Sequence, residues 1–260
     1  MLVIRNGFTY LRYQGEQREV EHKRMIGEAA CSLVVNDQNW VTFLCTPTEI
    51  DHLAIGFLFN AGVISSMDEV RELKVMGGED DLQVLVEIRL AHDAPLPSRP
   101  VLTSGCSGGL TFWDIAAARE PLQSTRTVTP EQVYDAMALL LTLNADLHRD
   151  VGGFHSAALS DGERLLLAAH DVGRHNTLDK IAGASLATGI STRDRLLVST
   201  GRISTEMLAK AARMETPIVI SRNSPTGLAT HLARSWNVTL VGYVRGHSMH
   251  VYTVPERIES

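Results

Sequence analysis

One cysteine lies in a segment whose composition favours an accessible thiol. Cys106 belongs to the stretch 104–109, in which the remaining five residues are all serine or glycine. A thiolate carries or transfers sulfur only when it is deprotonated and reachable, and nearby backbone donors or basic groups promote deprotonation. We therefore predict that Cys106 is the reactive cysteine, whereas Cys31 and Cys45 lie in apolar stretches and are predicted to be inert core residues.

Four polar segments in the second half of the chain each contain an arginine. They are 171–176 with Arg174 and His175, 199–202 with Gly201 and Arg202, 221–224 with Ser221, Arg222 and Asn223, and 245–247 with Arg245. Helix amino termini attract anions, glycine lets a ligand approach closely, and arginine binds oxyanions through two hydrogen bonds. Together the segments predict a cleft for a polyphosphate. The alternative is that each arginine only pairs with a neighbouring carboxylate such as Asp171 or Glu206.

Three histidines near these segments have open roles. His155 and His170 flank a predicted hairpin, and either is compatible with a hydrogen-bonded core histidine. His175 lies at a presumed helix start, where ligand contact and helix capping fit equally well.

The amino-terminal part is predicted to be rich in strands. Residues 31–35 and 40–44 flank a turn-forming quartet, which indicates a β-hairpin. Thr48 is a candidate N-cap for an amphipathic helix that ends before Gly62, and 82–90 is a further strand.

A domain boundary is predicted at 91–100, a stretch with three prolines and few apolar residues. Residues 1–100 would form an α+β domain, and 101–260 a second domain that carries the cysteine loop and the cleft. The net charge of −6 arises within the first part, because 101–260 holds equal numbers of acidic and basic residues.

The second part is predicted to alternate strands and helices. Thr129, Pro130 and Gln132 form a capping box for a helix that runs to about Leu147. The further elements are a hairpin of 154–160 and 163–169, strands 195–199, 217–221 and 238–244, and helices starting near Asn176, Ser204 and Ser224, the last with Pro225 at its first position. This order indicates an α/β layered domain, in which ligands gather beyond the carboxyl ends of the strands.

The composition is that of an ordinary globular protein, with 260 residues, 44% of them hydrophobic and 21% charged. No stretch is long and apolar enough for a membrane helix, and the first residues lack the apolar block of a signal peptide, so we expect a cytoplasmic location. Three cysteines without metal-ligand spacing suit neither a disulfide framework nor a zinc site. The acidic balance gives no reason to expect a nucleic-acid partner.

Several motifs in this order resemble the FdhD/NarQ family of formate dehydrogenase accessory sulfurtransferases. They are DVGRHNTLDK at 171–180, STGRISTEM at 199–207, LVGYVRG at 240–246 with VYT at 251–253, and LAIGFLF at 53–59. The resemblance covers most of the chain.

The resemblance implies a second domain similar to the cytidine deaminase fold, with three layers, and a homodimer. It also implies that persulfide sulfur from a cysteine desulfurase passes to molybdenum bis(molybdopterin guanine dinucleotide), which formate dehydrogenase requires. That cofactor carries two pyrophosphate-linked guanine nucleotides. The family's cofactor-binding segment falls on Tyr243, Val244, Arg245, Gly246, His247 and Ser248.

The chain departs from the family pattern at its cysteine loop. Relatives usually carry CxxC, whereas here Gly109 stands where the second cysteine would be. One thiolate can still hold a persulfide, but an internal relay or a protective disulfide cannot form. His170 replaces a commonly acidic residue, and His247 with Ser248 replaces glycine and arginine.

Two other functions are open at this point. A zinc deaminase would need a catalytic glutamate two residues after a ligand, but the chain reads His155, Ser156, Ala157 and has no PCxxC segment. A chaperone that binds the cofactor or a guanine nucleotide without handling sulfur fits the single loop cysteine better.

Overall fold

The computed structural model describes residues 4–78, 81–93, 95–97, 101–102, 110–111, 120–143 and 145–259. The described strands are β1 (Ile4–Gln14), β2 (Gln17–Ile26), β3 (Ala29–Val35), β4 (Gln38–Cys45), β5 (Val70–Met76), β6 (Gln83–Leu90), β7 (Val101–Leu102), β8 (Leu110–Thr111), β9 (His155–Ser160), β10 (Leu165–Asp171), β11 (Leu196–Ser199), β12 (Ile218–Ser221), β13 (Thr239–Arg245) and β14 (Ser248–Val251). The α-helices are α1 (Ile50–Asn60), α2 (Pro130–Leu143), α3 (Ala145–Asp150), α4 (Arg174–Thr188), α5 (Thr205–Arg213) and α6 (Gly227–Ser235). No helix among these residues is both long and apolar enough to cross a membrane.

The amino-terminal part contains a four-stranded sheet in the order β4-β3-β6-β5. The predicted hairpin is confirmed as β3 and β4, and β6 adds to β3 in parallel. Alternate residues of β3 are buried, because one face of the sheet packs against the apolar side of α1. Strands β1 and β2 form a separate antiparallel ribbon before this sheet.

The second part is built on a six-stranded sheet in the order β10-β9-β11-β12-β13-β14. Its inner strands β9, β11, β12 and β13 are buried on both faces, since alternate residues belong to two different hydrophobic clusters. One cluster holds side chains of α4, α5 and α6, and the other holds side chains of α2. The predicted α/β class is confirmed, and helices pack on both faces of this sheet, whereas the similarity to cytidine deaminases and the boundary at 91–100 stay predictions.

Two glycines let α1 pack closely against α4. A Cβ atom on Gly56 would lie 1.8 Å from the carbonyl oxygen of Asp179, and one on Gly183 would lie 1.9 Å from the carbonyl oxygen of His52. Both contacts are with backbone atoms, which cannot move aside as a flexible side chain could. Glycine at these positions therefore allows α1, which packs on the first sheet, to lie in close contact with α4, which packs on the second sheet.

Two predicted helix starts are wrong. Thr48 is not the N-cap of α1; Glu49 takes that position in a left-handed conformation with φ 51°, and the Thr48 hydroxyl lies 3.4 Å from Nζ of Lys180. Helix α6 starts at Gly227 with Thr226 as its N-cap, since Pro225 forms a bridge with Ile203 instead.

The predicted capping box of α2 is confirmed. The Thr129 hydroxyl accepts a bond from the amide of Gln132, and the Gln132 side chain accepts one from the amide of Thr129. Helix is described over Pro130–Leu143 and again over Ala145–Asp150, and residue 144 lies outside the described residues, so the predicted run to about Leu147 stays a prediction.

Candidate functional site

The carboxyl ends of four strands point to one edge of the six-stranded sheet. Strands β11, β12 and β13 run parallel, and β9 is antiparallel to both β10 and β11, so β10 has the same direction as the other three. The four predicted segments leave the sheet at this edge, after Asp171, Ser199, Ser221 and Arg245. The topology thus brings the predicted cleft segments together.

Hydrogen bonds lock the second and third segments to each other. The Ser221 hydroxyl donates to the carbonyl of Gly201 at 2.6 Å, and the side-chain amide of Asn223 donates to the carbonyl of Thr200 at 2.7 Å. The amide of Arg222 donates to the carbonyl of Ser199 at 3.2 Å. Ser221 and Gly201 are buried, so they fix the backbone beneath the cleft.

The fourth segment is a hairpin that lies against Asn223. The amide of Tyr243 donates to the Asn223 carbonyl at 3.3 Å, and a Cβ on Gly242 would lie 2.9 Å from the same oxygen. Strands β13 and β14 pair up to Arg245 and Ser248, which close the turn. Within the predicted cofactor-binding segment Val244 is buried, whereas Tyr243, Arg245, Gly246, His247 and Ser248 are exposed.

Three arginines at this edge are exposed, and we call Arg202, Arg222 and Arg245 the arginine rim. Among the described residues, no carboxylate forms an ion pair with any of the three. The guanidinium of Arg245 lies over the Tyr243 ring, 5.9 Å from its centroid. The rim therefore presents positive charge to solvent, beside the amino terminus of α5, and the pairing alternative does not account for it.

The fourth arginine lies lower. Arg174 is only 7% exposed, at the first turn of α4. A Cβ on Gly201 would lie 3.0 Å from both Cβ and Cδ of Arg174, so the arginine stem packs directly on the glycine of the second segment. The absence of a side chain at Gly201 therefore leaves the space that the Arg174 stem occupies.

Beneath the rim lies a group of buried ionisable residues that we call the polar floor: Asp171, His175, Asp179, Lys180, Glu206 and Lys210. Lys180 Nζ lies 2.7 Å from Asp171, and Lys210 Nζ lies 2.6 Å from Asp179. Buried charges are tolerated when they are paired and hydrogen-bonded, and both pairs meet that condition.

The Asp171–Lys180 pair ties the two sheets together. Asp171 accepts hydrogen bonds from the amides of Thr46 and Gly173 and from the side chain of Asn176. Lys180 donates to the carbonyl of Thr46 at 3.1 Å. Asp171 and Lys180, the first and last residues of the motif 171–180, thus stabilise the fold.

The second half of the floor holds the predicted ligand residue His175. Its Nδ1 lies 3.1 Å from Oε2 of Glu206, and Lys210 Nζ lies 3.8 Å from Oε1. Burial lowers the pKa of His175 well below its usual range, which keeps the ring neutral, and burial raises the pKa of Glu206 to about 7. The side chain of His175 is 8% exposed, so the structure buries this predicted ligand residue.

The other two histidines line the neighbouring hairpin. His170 Nδ1 lies 3.0 Å from the Ser156 hydroxyl, and burial lowers its pKa to about 4. Burial, followed by the charge of Arg174, lowers the pKa of His155. Both rings are held largely neutral.

The cysteines differ in what the structure describes. Cys31 and Cys45 are 1% and 0% exposed, and a hydrogen bond between their thiols together with burial raises the pKa of Cys45. Their assignment to the core is confirmed. Cys106, the predicted reactive cysteine, lies outside the described residues.

Two open cavities of about 430 and 410 Å³ lie elsewhere, and both are lined by Phe59, Arg213 and Glu215. They are at the amino ends of β11 and β12, opposite the arginine rim. The residues of the cleft therefore do not line the cavities described at the surface.

Sequence reasoning missed Lys180, Asp179 and Lys210 as parts of the site, and it treated Glu206 only as a partner for an arginine. The available signal was a set of charged residues at helical spacing with apolar neighbours, which indicates buried charges that need partners.

Comparisons with known proteins agree on one family. The model of the FdhD/NarQ family matches residues 26–259. A relative from Bacillus subtilis (strain 168), named sulfur carrier protein FdhD, is 39% identical and covers 94% of each chain. A relative of the same name from Staphylococcus haemolyticus is 32% identical over 99% of this chain and 98% of its own. The crystal structure of a putative formate dehydrogenase accessory protein from Desulfotalea psychrophila has the same fold, with a TM-score of 0.81, 24% identity, and coverage of 99% and 100%.

Proposed function

Because the chain belongs to the FdhD/NarQ family, we propose that it is a sulfur carrier for the maturation of formate dehydrogenase. In this proposal Cys106 accepts persulfide sulfur from a cysteine desulfurase. The sulfur then passes to molybdenum bis(molybdopterin guanine dinucleotide), which is bound as the substrate in the cleft.

The observation that carries the cofactor part of this proposal is the arginine rim. Three exposed arginines without described carboxylate partners lie where four segments meet, over a backbone fixed by Ser221 and Asn223. Guanidinium groups bind pyrophosphate oxygens through paired hydrogen bonds, and the exposed Gly246 leaves room for the ligand. A pyrophosphate-linked guanine nucleotide suits this arrangement.

The sulfur-transfer part rests on Cys106 and the curated relatives' name. The Cys106 thiolate would attack the outer sulfur of the desulfurase persulfide, forming a new S–S bond as the S–S bond of the desulfurase breaks. The desulfurase leaves as a thiolate, and Cys106 becomes a persulfide. No second loop cysteine stands at position 109 to displace that sulfur.

Three further features belong to the same proposal. The second domain is related to the cytidine deaminase fold, the protein is a homodimer, and it acts in the cytoplasm, where thiols stay reduced. The reducing compartment suits a carrier whose working group is a free thiol.

Mass spectrometry after incubation with a cysteine desulfurase and cysteine tests the sulfur step. The wild-type chain is expected to gain the mass of one sulfur atom, which a reducing agent removes. Cys106→Ser should gain nothing, while Cys31→Ala, which removes a buried thiol, should gain the atom as the wild type does.

The second candidate function is a chaperone that binds the cofactor without handling sulfur, and the missing cysteine at position 109 favours it. A wild-type chain that gains no sulfur, yet binds a guanine nucleotide, would establish this candidate and overturn the carrier. Equal sulfur gain by Cys106→Ser would instead show that another cysteine is the acceptor.

A further inference from the structure

The ribbon of β1 and β2 has one face that is open to solvent over residues 9–13 and 18–22. Opposed residues of an antiparallel pair lie on the same face, and Leu11 is opposite Val20, with Tyr13 two residues further along β1. These side chains are 44%, 60% and 64% exposed. We call this surface the ribbon face, and contiguous apolar patches of this kind mark interaction sites.

The opposite face of the ribbon is closed by its own polar contacts. Glu21 accepts hydrogen bonds from the Tyr10 hydroxyl and from the Arg12 guanidinium, and both Tyr10 and Glu21 are partly buried. A two-stranded ribbon is at best marginally stable in water unless a further surface packs against it. An exposed ion pair between Arg24 and Asp150 adds little, so the ribbon face lacks a covering surface in the described part of the chain.

Helix α1 packs on one face of the first sheet, and the other face of that sheet is exposed. The strand registers place Leu44 and Met76 on this outer face, where they are 47% and 41% exposed. The hydroxyls of Ser32 and Thr42 lie 3.0 Å apart on the same face. We call this surface the open face, and it offers a second apolar surface for packing.

The two surfaces belong to segments of opposite charge. Residues 1–26 carry five Lys/Arg against three Asp/Glu, whereas 27–100 carry four against twelve. On the open face, Glu87 has no ion pair with a described residue, and Lys74 opposite it is paired with another glutamate at 2.7 Å. Arg18 lies on the ribbon face and has no ion pair with a described carboxylate. The ribbon face is therefore complementary to the open face in charge as well as in apolar character.

We propose that the ribbon face of each protomer packs on the open face of a second copy of this chain. The contact occurs twice about a two-fold axis, so each protomer contributes both surfaces. The inference rests on the homodimer of the proposed function and adds the surfaces that form it. The family model begins at residue 26, where the ribbon ends, so the family match assigns the ribbon no role.

The size of the contact favours this arrangement. Strands advance about 3.4 Å per residue and lie about 4.8 Å apart, so the ribbon offers a face of about 35 by 10 Å, or about 350 Å². Two such contacts bury about 1,400 Å² in total, within the range of about 1,200 to 2,000 Å² that stable interfaces need. Packing of one ribbon on the other would bury only about 700 Å², which is too little.

Sedimentation analysis of the full chain tests the interface. The wild type should be dimeric at about 10 µM, since contacts of this size give micromolar or tighter affinity. Leu11→Glu with Val20→Glu places two carboxylates in the apolar centre of the contact and should weaken the dimer at least about a hundredfold. Leu139→Glu with Leu143→Glu is the matched control, because these α2 side chains are 43% and 56% exposed elsewhere, and it should dimerise as the wild type does.

Mixing two variants distinguishes the ribbon–sheet contact from a ribbon–ribbon contact. Leu44→Glu with Met76→Glu changes only the open face and should weaken the dimer as strongly as the ribbon variant does. In an equimolar mixture, one of the two contacts joins an unchanged ribbon to an unchanged sheet. The mixed dimer should therefore form at least about tenfold more tightly than the dimer of either variant alone, which also shows that both variants fold.

Three results would overturn the inference. An open-face variant that dimerises as the wild type does, or a mixture without rescue, excludes the ribbon–sheet contact. A wild-type dimer that the ribbon variant does not weaken has a different interface. A wild type that stays monomeric excludes the homodimer as well. Sulfur uptake by Cys106 is measured separately in each variant, so its failure overturns the sulfur carrier without bearing on the interface.

Discussion

The polar floor and the arginine rim lie at the same edge of one sheet, but they use charge in opposite ways. In the floor, Lys180 and Lys210 are buried against carboxylates at 2.7 and 2.6 Å. In the rim, Arg202, Arg222 and Arg245 are exposed and have no ion pair with a described carboxylate. Paired buried charge fixes a structure, whereas exposed unpaired charge is available to a ligand.

The difference shows that one motif can serve both purposes. Residues 171–180 contain Arg174, which packs on the cleft segment at Gly201, and also Asp171 and Lys180, which bind each other and Thr46. Similarity in this motif therefore does not by itself identify ligand-binding residues. The comparison predicts large stability effects in the floor and small ones in the rim.

The largest expected effect is at Lys180. Lys180→Met leaves Asp171 as a buried charge without its cation and should lower the free energy of unfolding by about 3 to 5 kcal/mol. Lys74→Met is the matched control, because Lys74 also forms a 2.7 Å ion pair, with Glu72, but is half exposed. The control should change stability by less than about 1 kcal/mol. Equal losses in denaturant unfolding would contradict the claim that burial makes the ion pairs of the floor important for stability.

The pH dependence of Glu206 should give the next largest effect. Its folded-state pKa of about 7 lies above the ordinary 4.5, so the stability it contributes is complete below the lower value and is lost as pH rises through the higher. At about 1.4 kcal/mol per pH unit, the loss approaches about 3 kcal/mol.

Glu206→Gln stays neutral and should lack this loss. Urea unfolding of both proteins at about pH 5 and about pH 8 measures this loss. From the lower to the higher pH, the unfolding free energy of the variant should rise by about 3 kcal/mol relative to that of the wild type. The opposite contribution of His175, whose pKa burial lowers, is present in both proteins and cancels. A constant difference between the two proteins would show that Glu206 is ionised throughout.

Gly201 should give a smaller effect, since it lies between floor and rim. In Gly201→Ala the new methyl would meet Arg174 at 3.0 Å, and the arginine stem would have to shift, at a cost of about 1 to 2 kcal/mol and with weaker nucleotide binding. Gly227→Ala, which meets no atom within 4 Å, is the control and should be neutral or slightly stabilising. If Gly201→Ala binds the nucleotide as the wild type does, the position of Arg174 does not affect binding in the cleft.

The sequence predicted the elements better than the contacts. Periodicity and turn residues located β3, β4, α1 and the parallel strands β11 to β13, because strands buried on both faces and strong turns leave clear local patterns. The starts of α1 and α6 were wrong, since Lys180 engages Thr48 and Ile203 engages Pro225 over long distances in sequence. Local propensity does not encode such contacts.

The site was predicted in the same uneven way. The gathering of four arginine segments followed from the alternation of strands and helices, which places carboxyl ends together. The burial of His175 could not be predicted from that alternation. It depends on how α5 packs over α4 and brings Glu206 next to the His175 ring. The role of Cys106 stays a prediction.

The central claim is that the arginine rim binds a pyrophosphate-linked guanine nucleotide, and titration with diguanosine diphosphate tests it most directly. Each rim arginine should change unfolding free energy by no more than about 0.5 kcal/mol when it is replaced by alanine. The triple variant Arg202→Ala, Arg222→Ala, Arg245→Ala should therefore fold but bind at least about a hundredfold more weakly than wild type. A control triple, Arg18→Ala, Arg71→Ala, Arg164→Ala, removes the same charge from exposed sites elsewhere and should bind as the wild type does. Equal affinity of the rim triple and the wild type would contradict the account.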